Sequence, residues 1–472
     1  MKADNKHILL IIILVLANGY LNCSPLNLLL TIPQFLYVAY LICRGHFEKA
    51  AFFHLLFIIT SFSYNITDSA MDVLGVSLLT SYNYAKFKIA SIPLFFINNV
   101  YMIYRLRKIK VKISDNAKRS DFYIFYKFLK YTFIIGVVLG VPGLLFFGYF
   151  REGFLNYGSY AFFLLSLSYI FLLMFDTKLK DLLYIQFPIL LMLSIIVMLS
   201  VKFLGIEFIG TVYVTYFASM LLPYTLYNKS VIMPLIIMLV YMASNVISGT
   251  GGKIIVQFAL VAIVVFFLTY SSHLPVDNKK VRRYRYMYYF LLAAVPIAGI
   301  YLIASMTGDE ESNFTYKLHN VQSLLSFFVG AGGLHEIDRS PYIRVAEIAN
   351  VLYEDISNPL YLILGRGFGG YYRDNLGLFN YVDISFDCFS DEQLAAKRYY
   401  TGHDAFVSIP MINGAVGVYW WIKSMYTYVT HMHKNYLKIV VIPFLFLIYY
   451  FDSQIGMIGT LLLYASESQI SI

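Results

Sequence analysis

Residues 279–312 read KKVRRYRYMYYFLLAAVPIAGIYLIASMTGDEES. A basic cluster is followed by a run of about 20 apolar residues, 287–306, and then by the acidic start of a polar segment. A run of about 20 apolar residues is long enough to cross the hydrocarbon core of a membrane as a helix. Lysine and arginine concentrate in cytoplasmic loops. The stretch therefore predicts a spanning helix that leads out of the cytoplasm to the opposite face.

The composition of the whole chain is also typical of a membrane protein. The sequence is 59% hydrophobic and only 13% charged, with a mean hydropathy of +0.66, whereas soluble domains are about 25% charged. Because unpaired backbone in lipid is costly, long continuous apolar runs favour helices. We predict an all-α, polytopic membrane protein of about 12–14 transmembrane helices with one large loop, on the face opposite the cytoplasm, that contains short helices. The runs fall near residues 8–22, 24–43, 50–66, 85–104, 130–150, 158–175, 182–200, 203–222, 231–247, 254–272, 287–306, 405–428 and 437–452.

Charge placement orients these helices. The net charge of +9 is concentrated in two short connections, 105–119 and 279–285, which is typical of cytoplasmic loops and predicts no nucleic-acid partner. Alternation then places residues 248–253 and 307–402 on the opposite face. The predicted parts are 1–306 with eleven helices, the loop 307–402 with the active-site residues, and 403–472 with the C-terminal helices. Three cysteines without a CxxC spacing indicate neither a disulfide framework nor a zinc site.

The loop is acidic, with thirteen acidic against seven basic residues. Val345, Ile348, Leu352 and Ile356 recur at helical spacing, which predicts an amphipathic helix over 340–357. Asn358-Pro359 is expected to end that helix. A short apolar segment then leads into a glycine run, and a further short helix is expected over 393–399. The segment after Asp452 is expected either to re-enter the membrane or to lie on it.

The glycine run Gly365-Arg366-Gly367-Phe368-Gly369-Gly370 lacks the GxGxxG register of a dinucleotide site. Its glycines, with Gly367 and Gly369 at alternate positions, would allow backbone N–H groups to approach a bound anion. Arg366 would add a planar fork suited to phosphate oxygens. A tight turn with a solvated arginine is the alternative. Arg344 is a second candidate for anion binding, and an ion pair with Glu347 at i,i+3 would equally explain it.

His403 lies at the mouth of the next apolar run. Thr401 is expected to cap that helix and to place His403 in its first turn, where the helix dipole disfavours the imidazolium. A neutral imidazole suits a general base. Anion binding at the helix terminus and a purely structural role are the alternatives. His319 and His335 have no ligand-like spacing with His403, so we expect no metal and no cofactor.

With these residues in place, the chain resembles the Wzy-type O-antigen polymerase family, within the group that includes O-antigen ligases. The resemblance covers the whole layout of helices with one large late loop. Its local carriers are the segment from Arg344 to Gly370, the pair His403-Asp404, and the small-residue stretch 413–417. Two departures are Lys253 where the family often has an arginine, and Asp404 where it has asparagine.

The resemblance implies polymerisation of undecaprenyl-pyrophosphate-linked oligosaccharide repeat units at the periplasmic face of a bacterial inner membrane. His403 would deprotonate the acceptor, while Arg344, Arg366 and Lys253 would neutralise the departing pyrophosphate. The step would be metal-independent and inverting. Membrane lipids, a chain-length regulator and a flippase of the same pathway would be partners. The alternatives are an O-antigen ligase that transfers finished polymer to lipid A-core and, from another class, a polysaccharide flippase or transporter.

Overall fold

A computed structural model describes residues 27–60, 92–180, 339–381, 389–400, 402–431 and 454–467, with a few isolated positions besides. Two-residue strands β1 (Lys88–Ile89) and β2 (Ile92–Pro93) pair antiparallel. The helices in these ranges are α1 (Asn27–Cys43), α2 (Phe47–Thr60), α3 (Leu94–Lys108), α4 (Asp115–Arg119), α5 (Asp121–Phe146), α6 (Arg151–Leu173), α7 (Arg339–Ser357), α8 (Pro359–Leu364), α9 (Asp391–Ala396), α10 (Ala405–Thr430) and α11 (Gln454–Ala465). A 3-10 turn covers Leu378–Tyr381.

The helical character of the fold is confirmed in the described residues. Within them, α5, α6 and α10 are long and apolar enough to span a membrane. Each overlaps a predicted apolar run, as do the shorter α1, α2 and α3. The predicted runs near 8–22 and 437–452, and the five runs from 182–200 to 287–306, lie outside the described residues apart from isolated positions, as does Lys253. The predicted number of spans therefore stays a prediction.

The chain divides into two compact units, and the first contains Met1–Lys118, Tyr169–Met306 and Tyr464–Ile472. Its described core is built on α1, α2 and α3. His54 of α2 is fully enclosed, with Nδ1 2.8 Å from the Tyr84 hydroxyl and Nε2 2.8 Å from Asn99 Oδ1. Asn98 also donates to that hydroxyl at 3.0 Å. These bonds satisfy the buried imidazole, which would otherwise be costly to enclose.

The second unit contains Arg119–Ser168 and Thr307–Leu463. Ser120 caps α5 by accepting from the backbone of Tyr123 at 3.3 Å. His431 Nδ1, just past the end of α10, lies 2.9 Å from Asp121 Oδ1 at the start of α5. The two helices are thus antiparallel, and the start of α10 lies at the end of the unit where α5 finishes. Because the basic segment 105–119 directly precedes α5, this is the end away from that segment.

α10 is interrupted at Gly414, which has a φ of 58°. The side chain of the preceding residue, Asn413, is buried and donates to the backbone oxygen of Thr132 on α5 at 2.9 Å. Bonds between spanning helices and small residues at their contact are typical of membrane packing. The interruption of α10 matters for the loop, because it opens the space into which the glycine run inserts.

Candidate active site at the start of α10

The predicted amphipathic helix forms as α7, but the side that it buries is not the predicted apolar stripe. The inward side carries Tyr342, Ile343, Ala346, Glu347 and Val351, all fully buried. Leu352 and Ile356 of the predicted stripe are exposed instead. The helix ends as expected, since Asn358 caps the following helix by accepting from Leu360 N at 3.1 Å. The inward side of α7 therefore brings a carboxylate, Glu347, into the protein.

Glu347 is the centre of the candidate site. Its side chain is 0% exposed, and its Oε1 lies 2.6 Å from His403 Nδ1. The same oxygen accepts from the Tyr372 hydroxyl at 3.0 Å, and Oε2 accepts from the His403 backbone N–H at 3.1 Å. A buried carboxylate is costly unless it is hydrogen-bonded. Glu347 thus holds both the ring and the backbone of His403.

Tyr372 is positioned by a short bridge in the loop. Its N–H donates to Tyr399 O at 3.0 Å, and Tyr399 N–H donates back at 2.9 Å. Burial and the adjacent Glu347 carboxylate raise the pKa of Tyr372 well above its ordinary value. The phenol therefore stays protonated and donates to the carboxylate. Sequence reasoning missed both Tyr372 and the role of Glu347.

His403 is partly accessible to solvent, with its side chain 17% exposed. Its ring meets Phe389 edge to face, with centroids 5.3 Å apart. When Nδ1 donates to Glu347, Nε2 is the basic nitrogen of the neutral ring. A carboxylate on the other nitrogen also stabilises the imidazolium that forms when the ring accepts a proton. Glu347 and His403 together have the geometry of an oriented acid–base pair.

The predicted cap of α10 is wrong. The N-cap is Asp404 rather than Thr401, because the Asp404 carboxylate accepts from Val407 N at 3.1 Å. His403 therefore precedes the helix instead of occupying its first turn. Its environment is set mainly by Glu347 and not by the helix dipole.

Arg344 lies beside this pair and reaches the surface. Its Nε is 3.8 Å from Asp404 Oδ2, and its side chain is 38% exposed. Burial raises the pKa of Asp404, and the Arg344 guanidinium opposes that rise. Arg344 is three residues before Glu347 on α7, so both charges lie on neighbouring positions of one helix. A permanent cation thus stands next to a candidate base, partly open to solvent.

Arg366 has different surroundings. Its side chain is 1% exposed, and its Nη2 lies 2.7 Å from Asp355 and 3.2 Å from Glu354. Nη1 donates to the Tyr371 backbone oxygen at 3.1 Å. Burial raises the pKa of Asp355 to about 6, although Arg366 opposes the shift. These contacts tie Arg366, and with it the glycine run, to α7, which favours a scaffold role for this arginine.

The glycine run donates to protein carbonyls. The N–H groups of Arg366 and Gly367 donate to Met411 O at 2.8 Å and Ile412 O at 2.9 Å, beside the interruption in α10. Phe368 N–H donates to Gly136 O of α5 at 2.8 Å, and Gly369 O accepts from Phe150 N–H at 3.0 Å. The predicted approach of these amides to an anion is thus replaced by docking onto two spanning helices.

The approach is close enough to require glycine. At Gly365, where φ is +74°, a Cβ would lie 2.4 Å from the backbone of Ile412 and Asn413. At Gly414 it would lie 2.5 Å from Gly365 N. The two glycines therefore pack backbone against backbone. The run fixes the end of α7 and α8 relative to α5 and α10.

The structure accordingly separates the predicted site residues. Arg344 lies 3.8 Å from Asp404, the residue after His403, and Glu347, three residues after Arg344 on α7, contacts the His403 ring. Arg366 is anchored at Asp355, which lies eight residues after Glu347, or about 12 Å further along α7. Gly367 and Gly369 belong with Arg366 in the docked run. In the described part of the chain, no cluster of three or more histidine, cysteine or acidic residues could hold a metal ion.

No known protein family, curated protein or solved structure matches this chain.

Proposed function

We propose that this chain is an integral membrane glycosyltransferase of the Wzy type. It would join undecaprenyl-pyrophosphate-linked oligosaccharide repeat units into O-antigen polysaccharide at the periplasmic face of a bacterial inner membrane. The single observation that carries the proposal is the 2.6 Å contact between buried Glu347 and His403, with the Arg344 guanidinium beside it. The substrate class rests on the resemblance of the sequence to that family.

The chemistry divides between these side chains. His403 Nε2 takes the proton of an acceptor sugar hydroxyl, while Glu347 holds Nδ1–H and stabilises the imidazolium. The hydroxyl oxygen then attacks the anomeric carbon, and the bond to the pyrophosphate oxygen breaks. The pyrophosphate leaves with the electron pair. Attack and departure on opposite sides would invert the anomeric configuration.

The departing pyrophosphate needs a positive partner. Arg344 is half exposed and carries a permanent charge, which suits an anion that arrives from outside and must also leave. Arg366 is enclosed by two carboxylates and fits this role less well. Lys253, the other predicted cation, lies outside the described residues and stays a candidate. Among the described cations, Arg344 is therefore the one that best fits the leaving group.

The experiment is replacement of His403 with alanine, and of Glu347 with glutamine, in the native host. Exposed His46, in the first unit, provides the matched control H46A. Lipopolysaccharide is then resolved on a gel. We expect H403A and E347Q to lose the ladder but keep core lipid with a single repeat, while H46A keeps the ladder.

Other outcomes would overturn the proposal. An unchanged ladder with H403A would remove His403 from the chemistry. Loss of the single repeat together with the ladder would point to a ligase or a flippase. Membrane levels of each variant, measured by immunoblot, show whether a lost ladder reflects lost protein.

A further inference from the structure

The outward side of α7 is apolar although it faces away from the protein. Ile356 is 70% exposed, and Leu352 and Tyr353 beside it are also exposed. The sequence places Leu352 and Ile356 four residues apart, on one side of the helix. In an aqueous loop this stripe would be expected to pack inward. Here the inward side holds Glu347, Asn350 and Asp355 instead.

The following helix α8 continues this surface. None of its six residues is buried, and Leu360, Leu362 and Ile363 are all exposed. Backbone groups at both ends of α8 nevertheless form hydrogen bonds within the protein. The Asn358 side chain accepts from Leu360 N, and Gly365 N donates to Tyr361 O at 2.8 Å. We call Leu352, Ile356, Leu360, Leu362 and Ile363 the outer patch.

The depth of α8 follows from its contacts with the spanning helix α10. A Cβ on Gly414 would lie 2.6 Å from the backbone of Ile363. Gly414 is nine residues after Ala405 (414 − 405), so it lies about 14 Å below the start of α10. Because α10 is interrupted at Gly414, its 26 residues measure at most about 39 Å, and a hydrocarbon core measures about 30 Å. The helix therefore exceeds the core by about 9 Å at most. If this whole excess lay outside the core at the start of α10, Gly414 would still lie about 5 Å inside the core.

The contact with α5 gives the same result. Phe368 N–H bonds Gly136 O, and Gly136 is ten residues before Phe146 (146 − 136), or about 15 Å from the end of a helix of equal length. A charge at such depth must be enclosed and paired. Arg366, adjacent to this contact, is enclosed by protein and paired with Asp355 and Glu354. The outer patch, by contrast, carries no charge.

We propose that the outer patch lies in the outer leaflet and contacts the hydrocarbon chains of membrane lipids. The spanning helices likewise expose apolar side chains, among them Val138 on α5 and Phe406 and Ile422 on α10. The loop would then be partly re-entrant rather than wholly aqueous. Its helix α7 would face lipid with one side and hold Glu347 with the other. This inference does not depend on the reaction that the protein catalyses.

The test uses single cysteines in the full-length protein, reconstituted in phosphatidylcholine and phosphatidylglycerol vesicles. The natural cysteines, Cys23, Cys43 and Cys388, are first replaced by serine. A nitroxide is then attached at L362C or I356C, and its collisions with oxygen and with a water-soluble nickel chelate are measured by EPR. Ile422→Cys on α10 is the lipid-facing control, and exposed Glu392→Cys on α9 is the aqueous control.

We expect the labels at 356 and 362 to favour oxygen over nickel, as the label at 422 does. A nickel accessibility equal to that at 392 would place the patch in water and overturn the proposal. Low accessibility to both reagents would mean that protein covers the patch, which also overturns it. Because these positions are exposed, each cysteine variant should reconstitute at the level of the cysteine-free protein.

Discussion

Replacement of Asp355 with alanine is expected to destabilise the protein by about 3–5 kcal/mol. The change leaves the Arg366 guanidinium, 1% exposed, without the carboxylate that lies 2.7 Å away. Removal of one partner of a buried pair is costly because the remaining charge stays enclosed. Glu354, at 3.2 Å and partly exposed, offsets a part of this cost. The upper half of the range therefore applies only if Glu354 cannot move closer.

The measurement is the free energy of unfolding of the purified protein in mixed micelles, by titration with SDS at pH 8. At that pH the Asp355 carboxyl, with a pKa of about 6, is ionised. Exposed Glu392→Ala is the matched control and should change stability by less than about 0.5 kcal/mol. The double variant D355A/R366M removes both charges and should recover most of the loss.

A loss below about 0.5 kcal/mol for D355A would refute this reasoning, because no enclosed charge would then have been stranded. A double variant no more stable than D355A would refute it equally. The same double variant also tests the sequence-based role of Arg366. If Arg366 has a scaffold role, the folded D355A/R366M variant keeps the proposed glycosyl transfer. If Arg366 binds the pyrophosphate, the folded variant loses that activity.

Three further changes test other parts of the structure. Glu347→Gln should lower kcat of the proposed transfer by about 10²–10⁴ with little change in KM, measured on purified lipid-linked repeats. The neutral amide does not stabilise the His403 imidazolium, and its NH2 group cannot accept the bonds that the second carboxylate oxygen accepts. Gly365→Ala should destabilise far more than Gly377→Ala in SDS unfolding, since both have positive φ but only the Cβ at 365 would meet backbone, at 2.4 Å. Equal effects would exclude the close contact. Because burial raises the pKa of Asp355 from 3.8 to about 6, the folded state holds this proton more tightly than the unfolded state. Unfolding free energy should therefore fall by roughly 2 kcal/mol as pH rises from 4 to 6, and Asp355→Asn should lack that slope.

The sequence predicts the described helices well where an apolar run is continuous. The run near 405–428 is observed as Ala405–Thr430, and the predicted 340–357 as Arg339–Ser357. Helix boundaries follow from local signals such as Asn358-Pro359. The start of α5 at Asp121, nine residues before its predicted run at 130–150, shows the limit, because a hydropathy window excludes a polar first turn that still forms helix.

The parts that failed depend on contacts distant in sequence. Glu347 and His403 are 56 residues apart, so no local sequence pattern predicts that they pair. The apolar stripe of α7 was found correctly as a periodicity, but periodicity does not tell whether protein or lipid will cover it. The sequence of the glycine run is equally consistent with an anion-binding loop and with a packing contact. Only its bonds to Met411, Ile412 and Gly136 decide for packing.

The interruption of α10 also sets an order of assembly. The N–H of Arg366 bonds Met411 O, and that residue is made 45 residues later (411 − 366). At about 5–20 residues per second, the loop waits roughly 2–9 s for its partner after it has left the ribosome. During that time α7 and α8 lack the surface that fixes them. A chain that ends before Met411 would therefore carry the loop but could not complete it, and the outer site is among the last parts of the protein to form.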